Sequence, residues 1–334
     1  MKILIAGGGT GGHLMPALAL ARVAGDLGHD IVLVGAQRGI EARILPHHPF
    51  PFHLLPIEPI YRRQWWRNVL LPLVWWRATR AANQVLRDEH PDIVIGTGGY
   101  AAGPVVLRAQ QLGIPTVLQE QNAFPGLTTR WLVRGARQVH LGFPEARDRL
   151  TLGPSTQAFE FGNPITPPPA HVDAQAARSE LGLAGGGGPR REPTVFVSGG
   201  SQGARPVNEA LAAALQRGLL GDVNVIWGTG TAHESRYAPL AVAGRVVIRG
   251  FFDPIRTAYA AADLVVARAG AMTVSELCAW GKPSVLVPLP SAAADHQTSN
   301  ARALADAGAS LLLPERELNP ETLAQTVGTL AADR

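Results

Sequence analysis

The sequence predicts an α/β protein of two Rossmann-like domains, each on a parallel sheet, facing each other across a cleft. Three observations point there. Residues 2–13, Lys-Ile-Leu-Ile-Ala-Gly-Gly-Gly-Thr-Gly-Gly-His, are an apolar strand running straight into a glycine turn. Residues 194–205, Thr-Val-Phe-Val-Ser-Gly-Gly-Ser-Gln-Gly-Ala-Arg, repeat the arrangement in the second half. Elsewhere short apolar runs alternate with amphipathic segments, the pattern of βαβ units and parallel sheets.

In the first half the expected strands are Ile3–Ala6, Ile31–Val34, Phe52–Leu55, Ile93–Ile95, Thr116–Leu118 and Val139–Leu141, with helices such as Pro16–Leu27 and Arg67–Arg87 between them. Each strand is a short β-branched or leucine-rich run, as a strand buried on both faces requires. The second half repeats the alternation with Val195–Ser198, Val223–Trp227, Val246–Ile248, Leu264–Ala267, Val285–Val287 and Leu311–Leu313. Helices are expected near Pro206–Arg217, Thr273–Trp280 and Ser299–Ala307. Thr166-Pro167-Pro168-Pro169 reads as a semi-rigid hinge, and the glycine run 185–188 as a surface loop of the second domain. The domains are therefore set at 1–163 and 164–334.

With 334 residues, 46% apolar and 17% charged, the chain is globular and each half can bury a core. Its net charge of +4 is uneven: residues 1–165 carry +5 and residues 166–334 carry −1. An anionic partner therefore belongs to the first half. The single cysteine, Cys278, excludes an internal disulfide framework, suits the cytosol, and reads as a small buried helix residue. The apolar run before the first glycines is too short for a signal peptide. No run of about 20 apolar residues is present to span a bilayer.

Gly7-x-Gly9-x-x-Gly12 satisfies the dinucleotide fingerprint. The ribose-binding acid expected about 20 residues on is missing, and Arg38 near the second strand keeps an NADP oxidoreductase open. His13 replaces the lysine of an ATPase-type phosphate loop, which excludes that class. The alternative reading of the glycines is a tight strand-to-helix turn. Similar loops at 96–100 and 267–271 favour a large phosphorylated ligand, since the carboxyl ends of parallel strands share one crevice.

Gly270 precedes a helix whose free N–H groups at Ala271–Thr273 suit a phosphate. Glu276 follows about 9 Å along that helix, at about 1.5 Å per residue, as a carboxylate for ribose hydroxyls; its alternative is a solvated first-turn glutamate. In Asp295-His296-Gln297-Thr298-Ser299-Asn300, Gln297 is the candidate for sugar hydroxyls, or the cluster is a helix cap. No Asp-x-Asp pair occurs, so no metal and no cofactor are expected; helix dipole and backbone donors would stabilise a leaving diphosphate. Four of seven tryptophans lie in residues 65–76, flanked by Arg62, Arg63, Arg67, Arg77 and Arg80. Residues 62–80 thus read as an interfacial, non-spanning segment for an anionic membrane, against the alternative of buried core tryptophans. Nucleic acid is not expected, because the basic residues sit beside aliphatics rather than along a groove.

Gly-Gly-Thr-Gly-Gly-His (8–13), Gly-Gly-Tyr-x-x-Gly-Pro (98–104), Glu-Gln-Asn (120–122), Gly-Asn-Pro (162–164), Gly-Gly-Ser-Gln-Gly-Ala-Arg (199–205) and the 268–276 run occur in this order. Together they resemble the MurG family of peptidoglycan N-acetylglucosaminyltransferases from residue 2 to about 330. The resemblance implies a GT-B-type fold and an inverting transfer of GlcNAc from UDP-GlcNAc to undecaprenyl-linked lipid I, giving lipid II, on the cytoplasmic face of the membrane. Thr10, Gly11, Gly12 and Asn122 would face the reacting sugars. Ser201, Phe252 (backbone, at the uracil), Ala271, Met272, Thr273, Val274, Ser275, Glu276 and Gln297 would hold the donor. His13 is the candidate general base, imidazole being suited to proton transfer at neutral pH, against a structural histidine closing the turn; Glu120 is the alternative base. Thr166 stands where the family often carries an arginine, with Arg205 or Arg268 as substitutes, and the sequence to Arg334 stops short of the family's closing helix, which this protein either does without or carries further on. Rival readings are another two-Rossmann sugar-nucleotide enzyme (an epimerase or lipid-sugar synthase) and a binding-only protein.

Overall fold

A computed structural model describes residues 1–58, 69, 71–183, 192–200, 202–290, 292 and 295–332. Ser201, the segment 62–68 and the glycine run 185–188 lie outside these residues. The chain divides into two compact units, Met1–Thr166 and Pro167–Arg334.

In the first unit the strands are β1 (Lys2–Ala6), β2 (Asp30–Ala36), β3 (Phe52–Leu55), β4 (Ile93–Gly96), β5 (Thr116–Glu120), β6 (Gln138–Leu141) and β7 (Gln157–Phe159). Its helices are α1 (Gly11–Asp26), α2 (Glu41–Ile44), α3 (Leu71–Glu89), α4 (Gly99–Gln111) and α5 (Leu127–Leu132). All strand pairs are parallel, in the order β3-β2-β1-β4-β5-β6-β7. The alternation of β1 explains the layers. Ile3 and Ile5 point into a core with Leu14, Leu18 and Ala21 of α1. Leu4 and Ala6 point to the opposite face, against Ala82 and Leu86 of α3 and Val105 of α4.

The second unit repeats the plan with β8 (Thr194–Ser198), β9 (Asn224–Gly228), β10 (Val246–Arg249), β11 (Leu264–Ala267), β12 (Ser284–Leu286) and β13 (Ser310–Leu312). The helices are α6 (Ala174–Glu180), α7 (Arg205–Gln216), α8 (Glu234–Tyr237), α9 (Ile255–Ala261), α10 (Ala271–Ala279), α11 (His296–Asp306) and α12 (Pro320–Ala332). Its parallel order is β10-β9-β8-β11-β12-β13. Strand order reverses direction beside β1 in one sheet and beside β8 in the other. A crevice opens at each reversal, outside the carboxyl ends of β1/β4 and of β8/β11. All four loops singled out as glycine-rich leave these strands.

Two expectations need correcting. Helix α1 begins at Gly11 rather than at Pro16, because Pro16 sits inside it without stopping it. Cys278 is exposed, not buried: α10 buries Ala271, Val274 and Leu277, which puts Cys278 on the outer face. The edge strand β7 was not expected, and helices α2, α4, α5, α6, α8, α9 and α12 were not named individually.

The second sheet is tied to α7 by one buried amide. Trp227 Nε1 donates to Asn208 Oδ1 at 3.0 Å, and Asn208 Nδ2 donates to the Thr229 carbonyl at 2.8 Å. Asn208 and Trp227 are fully buried. Asn208→Ala orphans both partners and should cost about 2–5 kcal/mol, lowering the melting temperature of this unit by about 5–15 °C. A shift below about 2 °C in a calorimetric scan contradicts this role.

Candidate functional site

The crevice of the first unit is built from three loops. After β1, Thr10 stands at the N-cap of α1, and its Oγ1 lies 2.9 Å from His13 Nδ1. After β4, Gly98 and Gly99 take φ of +90° and +75°, and the imidazole of His13 packs on this turn. A Cβ on Gly98 would come within 2.8 Å of His13 Cδ2, so the turn is open only to glycine on both conformational and steric grounds. Thr97 Oγ1 donates to the His13 carbonyl at 2.8 Å and locks the two loops together. Thr10 and Gly12 are exposed, and Gly11 and His13 half-buried.

After β5, Glu120 is buried and spends both carboxylate oxygens on its own loop. Oε1 accepts from the Asn122 backbone N–H at 3.1 Å and from Asn122 Nδ2 at 3.2 Å, while Oε2 accepts from the Gly126 N–H at 3.0 Å. A buried amide relay runs behind it. Gln121 Nε2 donates to the Thr97 carbonyl at 2.7 Å, Asn163 Nδ2 to the Gln121 carbonyl at 3.0 Å, and Gln119 Nε2 to Asn163 Oδ1 at 2.8 Å. The Gly-Asn-Pro and Glu-Gln-Asn motifs are thus one structure, coupled through Thr97 to the His13 turn.

Beneath the same turn lies a carboxyl the sequence reading did not single out. Glu41 is fully buried and accepts the Gly9 N–H through Oε1. Cβ atoms on Gly8, Gly35 or Gly39 would overlap its side chain, so these glycines form its cradle. Oε2 is buried and meets no donor among the described residues. Burial pushes the carboxyl above the ordinary carboxylate range, and the Gly9 N–H pulls partly back. A turn N–H that a dinucleotide fingerprint offers to pyrophosphate is here already taken.

In the second unit a cavity of about 160 Å³ is lined by Phe196, Ser198, Gly200, Gly250, Phe252, Tyr259, Arg268 and Thr273, among others. Phe252 is buried, edge-on to Phe196 with centroids 5.6 Å apart. Helix α10 starts beside the cavity after Gly270 with no side-chain cap and no acidic residue in its first turn, so the N–H groups of Ala271, Met272 and Thr273 have no partner within the helix. Val274 belongs to the core, and the Ser275 hydroxyl donates to the Ala271 carbonyl at 3.0 Å. Glu276 is partly buried and accepts from Tyr259 Oη at 3.0 Å. Gln297 uses Oε1 to accept the Leu289 N–H at 3.0 Å. The Arg268 guanidinium donates to the Val287 and Pro288 carbonyls and pairs with Glu315, while exposed Arg205 pairs with Glu209 at 2.8 Å. Both arginines therefore have protein partners.

An apolar surface lies on the first unit, where Trp131 of α5 meets Trp75 of α3. Trp75 packs on Trp131 at 5.7 Å, and Trp76, Trp131, Leu73 and Leu127 are exposed beside Arg77, Arg80 and Arg130. The tertiary fold adds Trp131 and Leu127 to the expected 62–80 segment. Among the described residues no helix is long and apolar enough to cross a membrane.

Residues 3–141 match the glycosyltransferase family 28 N-terminal domain and residues 194–334 its C-terminal domain. The chain belongs to glycosyltransferase family 28. A relative from Chlorobaculum parvum is 42% identical, covering 100% of this chain and 91% of its own length; one from Moorella thermoacetica is 40% identical with the same coverage. Both are named UDP-N-acetylglucosamine–N-acetylmuramyl-(pentapeptide) pyrophosphoryl-undecaprenol N-acetylglucosamine transferase. The crystal structure of Acinetobacter baumannii MurG superposes with a TM-score of 0.77 at 31% identity, over 98% of this chain and 90% of that one. Spinosyn rhamnosyltransferase SpnG, complexed with thymidine diphosphate, shares the fold at a TM-score of 0.70 and 17% identity. The two parallel-sheet units are thus those of a GT-B-type glycosyltransferase.

Four residues of this family 28 chain that support the site, Glu41, Thr97, Gln119 and Tyr259, escaped sequence reasoning because each meets its partner across the fold. The glycine pattern around Glu41 (Gly8, Gly35 and Gly39) is the signal that was there to find. Glu41 yields a pH prediction. The fold holds its proton to higher pH than the unfolded chain does, so ionisation costs stability as pH rises past the ordinary carboxylate range. Glu41→Gln has no proton to lose. Its melting temperature should gain on that of the parent as pH goes from about 4 to about 7; a pH-independent difference would contradict the buried, protonated carboxyl.

Proposed function

We propose that the chain transfers GlcNAc from UDP-GlcNAc to the C4 hydroxyl of undecaprenyl-pyrophosphoryl-MurNAc-pentapeptide, inverting the anomeric centre and converting lipid I to lipid II. One observation carries the reading: the two glycine turns are chemically different. The first ends in His13 and has its Gly9 N–H satisfied internally by Glu41. Both crevices open on an uncapped helix N-terminus, α1 in the first and α10 in the second; the second alone carries a carboxylate, Glu276, near the start of its helix. The first suits a reacting hydroxyl and the second a diphosphate and ribose. The name that the relatives carry, an N-acetylglucosamine transferase using UDP-N-acetylglucosamine, fits that division.

In this reading the second domain, set at 164–334 from the sequence, holds the donor. The N–H groups of Ala271–Thr273 and the dipole of α10 bind the diphosphate and take up the charge that develops as UDP leaves. Glu276 takes ribose hydroxyls, Gln297 the sugar, and the Phe252 backbone the uracil, with Ser201 at the second glycine turn. The first domain, set at 1–163 from the sequence, holds the acceptor, with Thr10, Gly11, Gly12 and Asn122 facing the reacting sugars. The acceptor C4 oxygen attacks the anomeric carbon, the bond from that carbon to the phosphate oxygen breaks, and its electron pair leaves with UDP. His13 takes the C4 proton. Three N–H donors on Glu120 support a role in holding the Asn122 loop rather than in proton transfer. His13→Ala should lower kcat by about 10²–10⁴ while the affinity for UDP-GlcNAc stays within about threefold, since its contact is with the acceptor. Near-normal turnover would remove His13 from the chemistry.

The Trp76–Trp131 surface supports peripheral attachment to the cytoplasmic face of an anionic membrane, its rings entering the interface and its arginines meeting headgroups. The Trp76→Ser/Trp131→Ser pair should weaken co-sedimentation with anionic vesicles at low salt about tenfold. Unchanged binding, or no binding by the parent, contradicts the attachment.

A further inference from the structure

Tyr259 is a fully formed hydrogen-bond donor in the donor cavity to which no role has been given. It lies on α9, is 2% exposed, and lines the cavity beside Phe252 and Thr273. Its ring is held from two sides: Phe196 meets it edge-on at 5.6 Å and 82°, and Trp280 at 5.7 Å and 36°. Held this way, the hydroxyl has little freedom. It donates to Glu276 Oε2 at 3.0 Å, across 17 residues of sequence. Oε1 of Glu276 meets no protein donor among the described residues.

From this geometry we infer that Tyr259 is a positioning residue that sets the donor's ribose specificity, by pinning Oε2 of Glu276 so that Oε1 alone is presented to the ribose hydroxyls. The inference rests on the proposed contact between Glu276 and ribose and deepens it. A glutamate side chain loses substantial rotamer freedom when ordered; a carboxylate fixed before the ligand arrives avoids that cost on binding. An ionised carboxylate also makes hydrogen bonds about twice as strong as a neutral acceptor.

The pair has a pH signature. Burial raises the Glu276 carboxyl above its ordinary range, and the Tyr259 hydroxyl pulls it back down. Tyr259 is the one titratable group among the described residues with a resolved influence on it. Burial, then the Glu276 charge and hydrogen bond, hold the phenol protonated far above its ordinary range, so it remains a donor throughout the working pH. Removing the hydroxyl takes away the downward pull. The carboxylate that ribose needs is then lost at a higher pH than in the parent.

The test compares UDP with 2′,3′-dideoxy-UDP by isothermal titration from about pH 5 to pH 8, using the parent, Tyr259→Phe and Glu276→Ala, with a thermal melt of each to establish folding. The parent should prefer UDP by at least about tenfold at the alkaline end, as two hydrogen bonds to a carboxylate require. In Tyr259→Phe the preference should fall by about threefold to tenfold, and its midpoint should move to higher pH. Steady-state assays with UDP-GlcNAc should show a matching rise in KM with kcat within about twofold. Glu276→Ala should lose the preference at every pH. If Glu276→Ala still prefers UDP, the ribose contact itself fails, and this inference with it. If Glu276→Ala loses the preference while Tyr259→Phe keeps the magnitude and pH midpoint of the parent, the ribose contact stands and the role of Tyr259 is overturned.

Discussion

Where a parallel strand turns directly into a helix, the first N–H groups of that helix have no partner within it, and the site depends on what satisfies them. Both units create this situation beside the strand at which the sheet order reverses, β1 in one and β8 in the other. The glycines let the chain turn tightly enough to leave those groups at the carboxyl ends of the strands. Each turn supplies the same backbone and differs in the side chains brought to it.

That difference organises the molecule. Under the first turn an internal carboxyl, Glu41, takes the Gly9 N–H, and His13 is clamped by Thr10, Thr97 and the Gly98–Gly99 turn. Near the second, α10 is left uncapped and the nearest carboxylate, Glu276, is kept in position by Tyr259. Both helices, α1 and α10, start uncapped; one crevice brings an imidazole to its turn and the other a carboxylate to its helix. Duplication of a fold has become a division of labour through a few side chains per unit.

Much of this was legible in the sequence, and the rest was hidden for definable reasons. Strands such as β3 and β11 were read at their observed bounds because buried parallel strands are continuous apolar runs set off by breakers. Strand β7 was missed because its sequence, Gln-Ala-Phe, lies at a sheet edge and carries no such run. Helix α1 was started late because proline is favoured at a first helical position, whereas Pro16 is accommodated in the body of the helix. The motif residues were found through their spacing. Their supports were not, since Glu41 reaches Gly9 over 32 residues and Gln119 reaches Asn163 over 44. Pairings of that span depend on sheet order, which strand patterns alone leave open. Trp131 joined the tryptophan surface for the same reason: α5 packs on α4, and its Trp131 meets Trp75 of α3, only once the sheet is assembled.

The central claim, that two similar glycine turns have taken different ligands, is tested most directly by hydrogen–deuterium exchange with and without UDP-GlcNAc. The account predicts slowed exchange in segments spanning 199–204 and 270–276, with 7–13 unchanged by the donor alone. Donor-induced protection at 7–13 with none at 270–276 would contradict it.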